Sequence, residues 1–275
     1  MSITIDGKAT MVYANGTIAV KDFYCKAGNG QAVIVKTAKV SEAKSKGITP
    51  LAVVFSTSTS SIDQGHGWSN GYAIALRDAN SGNKLAWSTN ISTSVQKSSH
   101  IYTTASVALS DLDGYDATHH ITGNSSYNST TYPAFFACVN YESSTAVPIS
   151  SSGWYLPSNG QWMGILNALA DFSLKASNTT SDYYFTCQTA RDRINTCLAN
   201  SGESYDGIRG TNNNSTYYDI YYWCSGEFSN SAGCTVLFDR INTVGKAWSA
   251  QQKSYVSNSS SDHVGWYYAR PVIAF

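Results

Sequence analysis

The stretch SNGQWMGILNALADFS, residues 158–173, carries the clearest helix signal in the chain. Ser158 and Gln161 form the S-x-x-Q pattern of a capping box, in which the side chains satisfy backbone N–H groups at the start of a helix. Apolar residues follow at the spacing that gives a helix one buried side, namely Trp162, Ile165, Leu166, Leu169 and Phe172. The sequence therefore predicts a helix over about 158–172 with one side in a core.

Three further helices are predicted from weaker signals. TARDRINTCLANSG (189–202) is the second main helix and should end near Gly202, because glycine often closes a helix. DLDGYDATHHI (111–121) and YPAFFACVNYE (132–142) are expected to contain short helices, and Pro133 suits a first helical turn.

Short apolar runs rich in β-branched and aromatic residues predict strands before and after these helices. They are AVIVK (32–36), LAVVFS (51–56), GYAIAL (71–76), CTVLFD (234–239), GKAWSA (245–250) and GWYYARPVIAF (265–275). Two main helices set between groups of antiparallel strands predict an α+β fold. We expect a single domain over 1–275, with N-terminal strands in 1–45.

The composition is neutral and weakly charged. Charged residues make up 13% of the chain, with 18 basic and 18 acidic side chains, against about 25% charged residues in an average protein. A neutral surface argues against nucleic acid or an anionic membrane as a partner. The sequence shows no apolar segment that would insert into a membrane. The N-terminus MSITIDGKATMVYANG lacks the basic and apolar regions of a signal peptide, so none is predicted.

The cysteines form no C-x-x-C pair, and this argues against a zinc site. They are Cys25, Cys138, Cys187, Cys197, Cys224 and Cys234. An even count permits disulfides, but free thiols are the simpler interpretation in a chain of this size.

No motif in the sequence points to catalysis, a metal or a cofactor. His119 and His120 are adjacent, so on a helix they diverge and would chelate poorly. His66 lies in the turn QGHGWSNG, which lacks phosphate-binding spacing. Four acids carry oxygen ligands of the kind calcium prefers, but their spacing matches no calcium loop, and solvated acids are the simpler interpretation: Asp206, Asp219, Glu227 and Asp239.

The segment TNNNSTYYDIYYWCSGEFSNSAGC, residues 211–234, is aromatic yet poor in aliphatic residues. Tyr and Trp among Ser, Asn and Gly are also typical of antibody paratopes, where rigid rings supply contact area and small polar groups supply hydrogen bonds. A Tyr-rich β-hairpin without a binding role is the alternative, since aromatic residues also favour strands. We interpret the segment as a ligand-binding face.

Three motifs carry a resemblance to a known family: GWYLPSNGQW (153–162), YWCSGEFS (222–229) and ARPVIAF (269–275). Together they resemble the C-type-lectin-fold variable proteins of diversity-generating retroelements from human gut Bacteroidales and their phages. The formylglycine-generating-enzyme-like subgroup is the nearest in pattern, and the resemblance extends from about residue 11 onward. It implies a C-type-lectin-like fold whose variable, ligand-binding region spans about 211–256.

The resemblance also implies which residues contact the ligand and which support them. The implied variable face consists of Tyr218, Asp219, Tyr221, Cys224, Gly226, Phe228, Ser229, Asn230, Ser231, Gly233, Cys234, Leu237, Asp239, Arg240 and Asn242. The implied scaffold consists of Trp154, Pro157, Trp162, Trp223, Phe238, Arg270 and Pro271.

These features predict a hypervariable receptor-recognition protein without enzymatic activity, placed at a phage tail tip. The alternative is an adhesin of the same fold on a bacterial surface or pilus tip. The expected partner is a protein or glycan receptor on a cell surface. A formylglycine-generating type of enzyme is less favoured, because Cys224 and Cys234 are too far apart in sequence to match the paired cysteines of those enzymes. The calcium and sugar motifs EPN and WND of true C-type lectins are not present in the sequence either.

Overall fold

The computed structural model describes residues 2–5, 8–13, 17–141, 151–209, 218–239, 244–259 and 264–275. The strands are β1 (Ser2–Ile5), β2 (Lys8–Tyr13), β3 (Phe23–Lys26), β4 (Ala32–Val35), β5 (Thr49–Ser56), β6 (Tyr72–Ala75), β7 (Tyr184–Phe185), β8 (Tyr218–Ser229), β9 (Ala232–Phe238), β10 (Gly245–Gln252), β11 (Ser257–Ser259), β12 (Val264–Tyr268) and β13 (Val272–Ala274). The helices are α1 (Val40–Ser45), α2 (Ser61–Gly65), α3 (Ala105–Ser110), α4 (Gly114–Thr122), α5 (Pro133–Val139), α6 (Asn159–Ala170), α7 (Thr180–Tyr183) and α8 (Cys187–Ala199). Short 3-10 helices cover Thr37–Lys39, Asn80–Gly82 and Ser98–His100.

Helix α6 confirms the capping-box prediction. The Ser158 hydroxyl accepts a hydrogen bond from the Gln161 backbone N–H at 3.2 Å, and the Gln161 side-chain carbonyl accepts one from the Ser158 N–H at 3.1 Å. The helix ends at Asp171, whose φ of 56° is left-handed. Its apolar side is buried, with Trp162 fully enclosed.

The strands form two mixed sheets in which most neighbours are antiparallel. The seven-stranded sheet has the order β1-β2-β4-β3-β5-β6-β13, and the six-stranded sheet has the order β11-β12-β8-β9-β10-β7. The pairs β2–β4 and β8–β12 are parallel. The C-terminal strand β13 pairs with β6 through Val272 and Ile74, so the end of the chain closes the first sheet.

Two apolar clusters hold these layers together. One joins α6 and α8 to the inner faces of both sheets and includes Val53, Trp162 and Tyr222. The other lies under α4 and α5 and includes Trp87 and Trp223. The α+β prediction is confirmed. The described chain has four α-helices beyond the four predicted, namely α1, α2, α3 and α7, which the sequence did not reveal because they are too short to show a helical period.

Candidate functional site

The segment that the sequence singled out forms the hairpin of β8 and β9. Strand β8 lies between β12 and β9 inside the six-stranded sheet, and Tyr222 is opposite Val236. Alternate side chains of β8 enter different clusters. Tyr222 packs against Trp162 at a ring distance of 5.0 Å, while Tyr221 stacks on Tyr267 at 4.7 Å. Both faces of this strand are therefore covered.

This arrangement corrects part of the predicted variable face. Buried members of that set are Asp219, Tyr221, Cys224, Gly226, Gly233 and Cys234. At Gly226 an added Cβ would lie 2.0 Å from Cε2 of Tyr102, and at Gly233 it would lie 2.8 Å from the Trp87 ring. The predicted contact role needs these residues exposed, whereas the structure encloses them in the sheet. Their contact with a ligand stays a prediction that their burial does not support.

Only the tip and rim of the hairpin remain open. Asn230 and Ser231 are exposed in the turn, while half-buried positions are Phe228, Ser229, Leu237 and Asp239. Arg240, Asn242 and the side chain of Tyr218 lie outside the described residues. A ligand contact at the open positions stays a prediction. The implied scaffold residues are all buried: Trp154, Pro157, Trp162, Trp223, Phe238, Arg270 and Pro271.

A buried ion pair anchors the turn end of the hairpin. Lys253 Nζ lies 2.6 Å from Glu227 Oε1, and both side chains have 0% exposure. The other carboxylate oxygen accepts the backbone N–H groups of Val95 and Gln96 at 3.0 and 2.8 Å. Burial lowers the pKa of Lys253 and the charge of Glu227 opposes that shift. Glu227 is thus a structural anchor for the 93–96 loop and not the solvated acid that was predicted.

The cysteines of the chain are enclosed in the fold. The six cysteines are free and buried, which confirms the prediction of free thiols. Burial raises the pKa of Cys187 to about 12, and it also raises that of Cys224. A thiol with a raised pKa is a weak nucleophile.

His100 is a buried histidine that the sequence did not single out. Its Nδ1 lies 2.9 Å from Asp111 Oδ2 and its Nε2 lies 3.0 Å from Asp116 Oδ2. Burial lowers the pKa of His100, but the hydrogen bonds and charges of the two carboxylates outweigh burial and raise it. Because each ring nitrogen lies beside a carboxylate oxygen, the ring is fixed in position and its protonated form is favoured. We therefore interpret His100 as a structural residue. His119 and His120 are exposed on α4. Among the described residues, no group of three or more His, Cys, Asp or Glu side chains is placed to hold a metal ion.

A cavity of about 660 Å³ opens beside the second apolar cluster, within the usual size range of small-molecule sites. One wall is the segment 77–85 after β6, another is α5, and a third comes from the segment that follows α8. The lining residues are Arg77, Asp78, Asn80, Ser81, Leu85, Ser129, Pro133, Phe136, Ala137, Asn140, Tyr141, Ser204 and Asp206.

Asp78 anchors the floor of this cavity. Arg270 Nη2 lies 2.7 Å from Asp78 Oδ1, and Arg209 Nε lies 2.8 Å from Asp78 Oδ2. The Asp78 N–H donates to Asp206 Oδ2 at 3.1 Å. Asp78 and Arg270 are almost fully buried, so the ionic network is protected from solvent screening.

The turn that follows Asp78 has an uncommon backbone. Asn80 and Ser81 both have φ of 55°, and Gly82 has φ of 71°. A Cβ on Gly82 would lie 2.0 Å from Arg209 Nη2, so a side chain at this position would have to displace the guanidinium. Consecutive left-handed residues other than glycine are rare. Here Asn83 donates to the Asn80 carbonyl through its backbone N–H at 3.1 Å and through Nδ2 at 2.7 Å, which closes the turn.

Sequence reasoning missed the cavity because its residues carry no motif. They are ordinary polar and apolar residues spread from 77 to 206. The pairs that build the floor join positions 131 and 192 residues apart. No local signal in one sequence reports such contacts.

Comparisons with known proteins identify a likeness in fold. No protein-family model and no curated protein sequence matches the chain. A crystal structure of a fimbrial protein from Bacteroides ovatus ATCC 8483 matches with a TM-score of 0.57 and 18% identity. The match covers 98% of this chain and 51% of that one, so the chain spans about half the length of the fimbrial protein. At this identity the match establishes a shared fold and nothing finer.

Among the described residues, no helix is long and apolar enough to cross a membrane.

Proposed function

We propose that this chain is a ligand-binding module of a bacterial surface adhesin, of the kind carried on fimbriae or at a pilus tip. The observation that carries the proposal is the likeness of 98% of the chain to a fimbrial protein. The neutral, Ser- and Asn-rich composition supports it, because such a surface suits close-range contact better than long-range charge steering. The cavity beside α5 supplies a place for a ligand.

Binding is a better account of the site than catalysis. His100 is held between two carboxylates, Glu227 is paired with Lys253, and the thiols are buried. A catalytic group must reach a substrate with a proton or electron pair to exchange, and these groups are enclosed and already bonded. We therefore favour binding over catalysis at these groups.

A phage tail receptor-binding protein on a C-type-lectin-like scaffold is the second candidate. Its support is the resemblance carried by the motifs 153–162, 222–229 and 269–275. If the gene is diversified, variation among sibling genes should avoid the buried positions 221–226 and fall on the open turn 228–231. A reverse-transcriptase gene beside a near-repeat of this DNA would favour this candidate over the adhesin.

The adhesin proposal is tested by coating beads with the purified chain and offering them host epithelial cells, mucin and bacterial cells. We expect saturable retention on host cells or mucin, and none with beads that carry the heat-unfolded chain. Retention on bacterial cells alone would transfer support to the phage candidate. Absence of retention on all three surfaces would contradict both.

A further inference from the structure

We propose that the cavity between the 77–85 segment and α5 binds a short, uncharged carbohydrate of one to three sugar rings. The inference rests on the proposed binding function and names the ligand class of its site.

One wall is apolar. Pro133, Phe136 and Ala137 face the cavity from α5, and Leu85 faces it from the other side. Phe136 is half-buried, and its ring contacts Tyr127 at a centroid distance of 5.9 Å, which limits its motion. A sugar ring has an apolar C–H face, and burial of that face against such a wall is favourable at about 25 cal/mol per Å².

The opposite wall presents polar groups with free hydrogen-bonding capacity. Asn80, Ser81, Ser129 and Ser204 make no side-chain hydrogen bond to another described residue and are exposed at the cavity. Asn140 donates through Nδ2 to the Phe136 carbonyl at 2.9 Å, which leaves its Oδ1 as an acceptor. Amides and hydroxyls both donate and accept. Sugar hydroxyls do the same, so the two sets are complementary.

The charged groups around the cavity already have partners. The Asp78 carboxylate is shared by Arg209 and Arg270. Arg77 donates through Nε to the Ser204 carbonyl at 3.0 Å, and Asp206 accepts the Asp78 N–H. A charged sugar would have to compete with partners that are already in place, whereas a neutral sugar needs only the open amides and hydroxyls.

The turn that displays Asn80 and Ser81 is organised before any ligand arrives. Its left-handed backbone is closed by hydrogen bonds from the Gly82 N–H to the Ala79 carbonyl at 3.1 Å and from Asn83 Nδ2 to the Asn80 carbonyl at 2.7 Å. Arg209 lies beside Gly82 and is bonded to Asp78 at 2.8 Å. The Arg209 guanidinium also lies 4.5 Å from the Tyr268 ring. A preorganised turn avoids part of the ordering cost of binding.

The test uses a pair of matched variants in one loop. Ser129→Trp places an indole at the cavity mouth, and Ser125→Trp places the same group at an exposed position that does not line the cavity. The wild-type chain and both variants are titrated with neutral mono-, di- and trisaccharides selected on a glycan array, with acidic saccharides as a separate arm. Thermal melting checks that all three proteins are folded.

We expect wild type and Ser125→Trp to bind at least one neutral saccharide with equal affinity and Ser129→Trp to bind it at least about tenfold more weakly. Asn80→Gln and Ser204→Ala should each weaken binding by roughly 3- to 10-fold, the worth of one hydrogen bond. Equal affinity of Ser129→Trp and wild type would overturn the proposal. Binding of acidic saccharides only, or of no saccharide, would overturn it as well.

The bead assay separates this inference from the proposed function. If Ser129→Trp beads are retained on cells as well as wild-type beads are, the adhesin stands and the cavity is not its site. If the saccharide binds in the cavity but wild-type beads are not retained anywhere, the carbohydrate site stands and the adhesin proposal fails.

Discussion

The β8–β9 hairpin and the cavity beside α5 both contain aromatic and small polar residues. The side chains in the middle of the hairpin are enclosed, whereas the polar side chains of the cavity are open. The hairpin is rich in Tyr, Trp, Ser and Gly, and its middle is enclosed on both faces, so that Tyr222 and Trp223 have 0% exposure. The cavity contains Tyr, Phe, Asn and Ser, and it turns its polar groups toward open space. A paratope-like composition therefore indicates binding only where the neighbouring layers leave the side chains open.

The largest effect is expected at the anchor of the hairpin. Glu227→Ala leaves Lys253 buried without its counter-ion and removes the acceptor of two N–H groups. Loss of one partner of a buried pair costs roughly 3–5 kcal/mol, measured as the change in unfolding free energy by denaturant titration. The matched control is Glu42→Ala, in an exposed pair with Lys39, where about 0–1 kcal/mol is expected. Similar losses in the two variants would mean that the hairpin is not anchored in this way.

A second prediction contrasts positions inside the hairpin with the cavity rim. Gly226→Ala drives a methyl group into the Tyr102 ring and should cost about 1–3 kcal/mol, as overpacking does. Ser231→Ala at the tip and Ser204→Ala at the rim are exposed and should stay within roughly 0.5 kcal/mol. If Gly226 tolerated large side chains without loss of melting temperature, the hairpin would be an open surface after all.

The third prediction concerns the pH dependence of stability that arises from His100 and its two carboxylate partners, Asp111 and Asp116. Because the pKa of His100 is raised in the folded state, its protonated form stabilises the fold fully below about pH 6.5, the usual histidine pKa. That contribution is lost as the pH rises through the folded pKa.

Burial raises the pKa of Asp63 to about 6, so the deprotonation of Asp63 weakens the fold in a lower window, between about pH 4 and 6.

Denaturant titrations from pH 6 to 9 measure the His100 contribution. We expect stability to fall with rising pH in the wild type and to be flatter in His100→Gln. An unchanged slope in this variant would show that the histidine is not held as a cation. The Asp78 carboxylate raises the pKa values of Arg209 and Arg270 against the effect of burial. Both guanidinium groups therefore keep their charge in this window, and saccharide binding should vary less with pH than stability does.

The smallest effect is expected for thiol chemistry. All six cysteines are buried, so a thiol reagent should modify less than about one equivalent in the native protein during the time in which it modifies all of them after unfolding. Rapid native labelling at Cys224 or Cys234 would place these residues on the surface that the sequence suggested.

Local signals were enough to predict much of the fold. The capping box and periodic apolar residues of α6 act within one helix, and the β-branched run of β5 is strand-like by itself. The sequence did not predict which β8 side chains are buried. A strand shows an alternation of polar and apolar residues only when one of its faces is exposed, and both faces of β8 pack aromatic rings. The cavity depended on ion pairs between distant positions, such as Asp78 with Arg270, which a single sequence does not reveal.

Hydrogen–deuterium exchange of the wild-type chain, with and without the neutral saccharide it binds best, compares the two regions directly. We predict slower exchange in the segments 77–82 and 133–140 when the sugar is present, and no change in the turn 228–232. Slower exchange at 228–232 with none around the cavity would contradict the account, because the hairpin tip would then be the binding site.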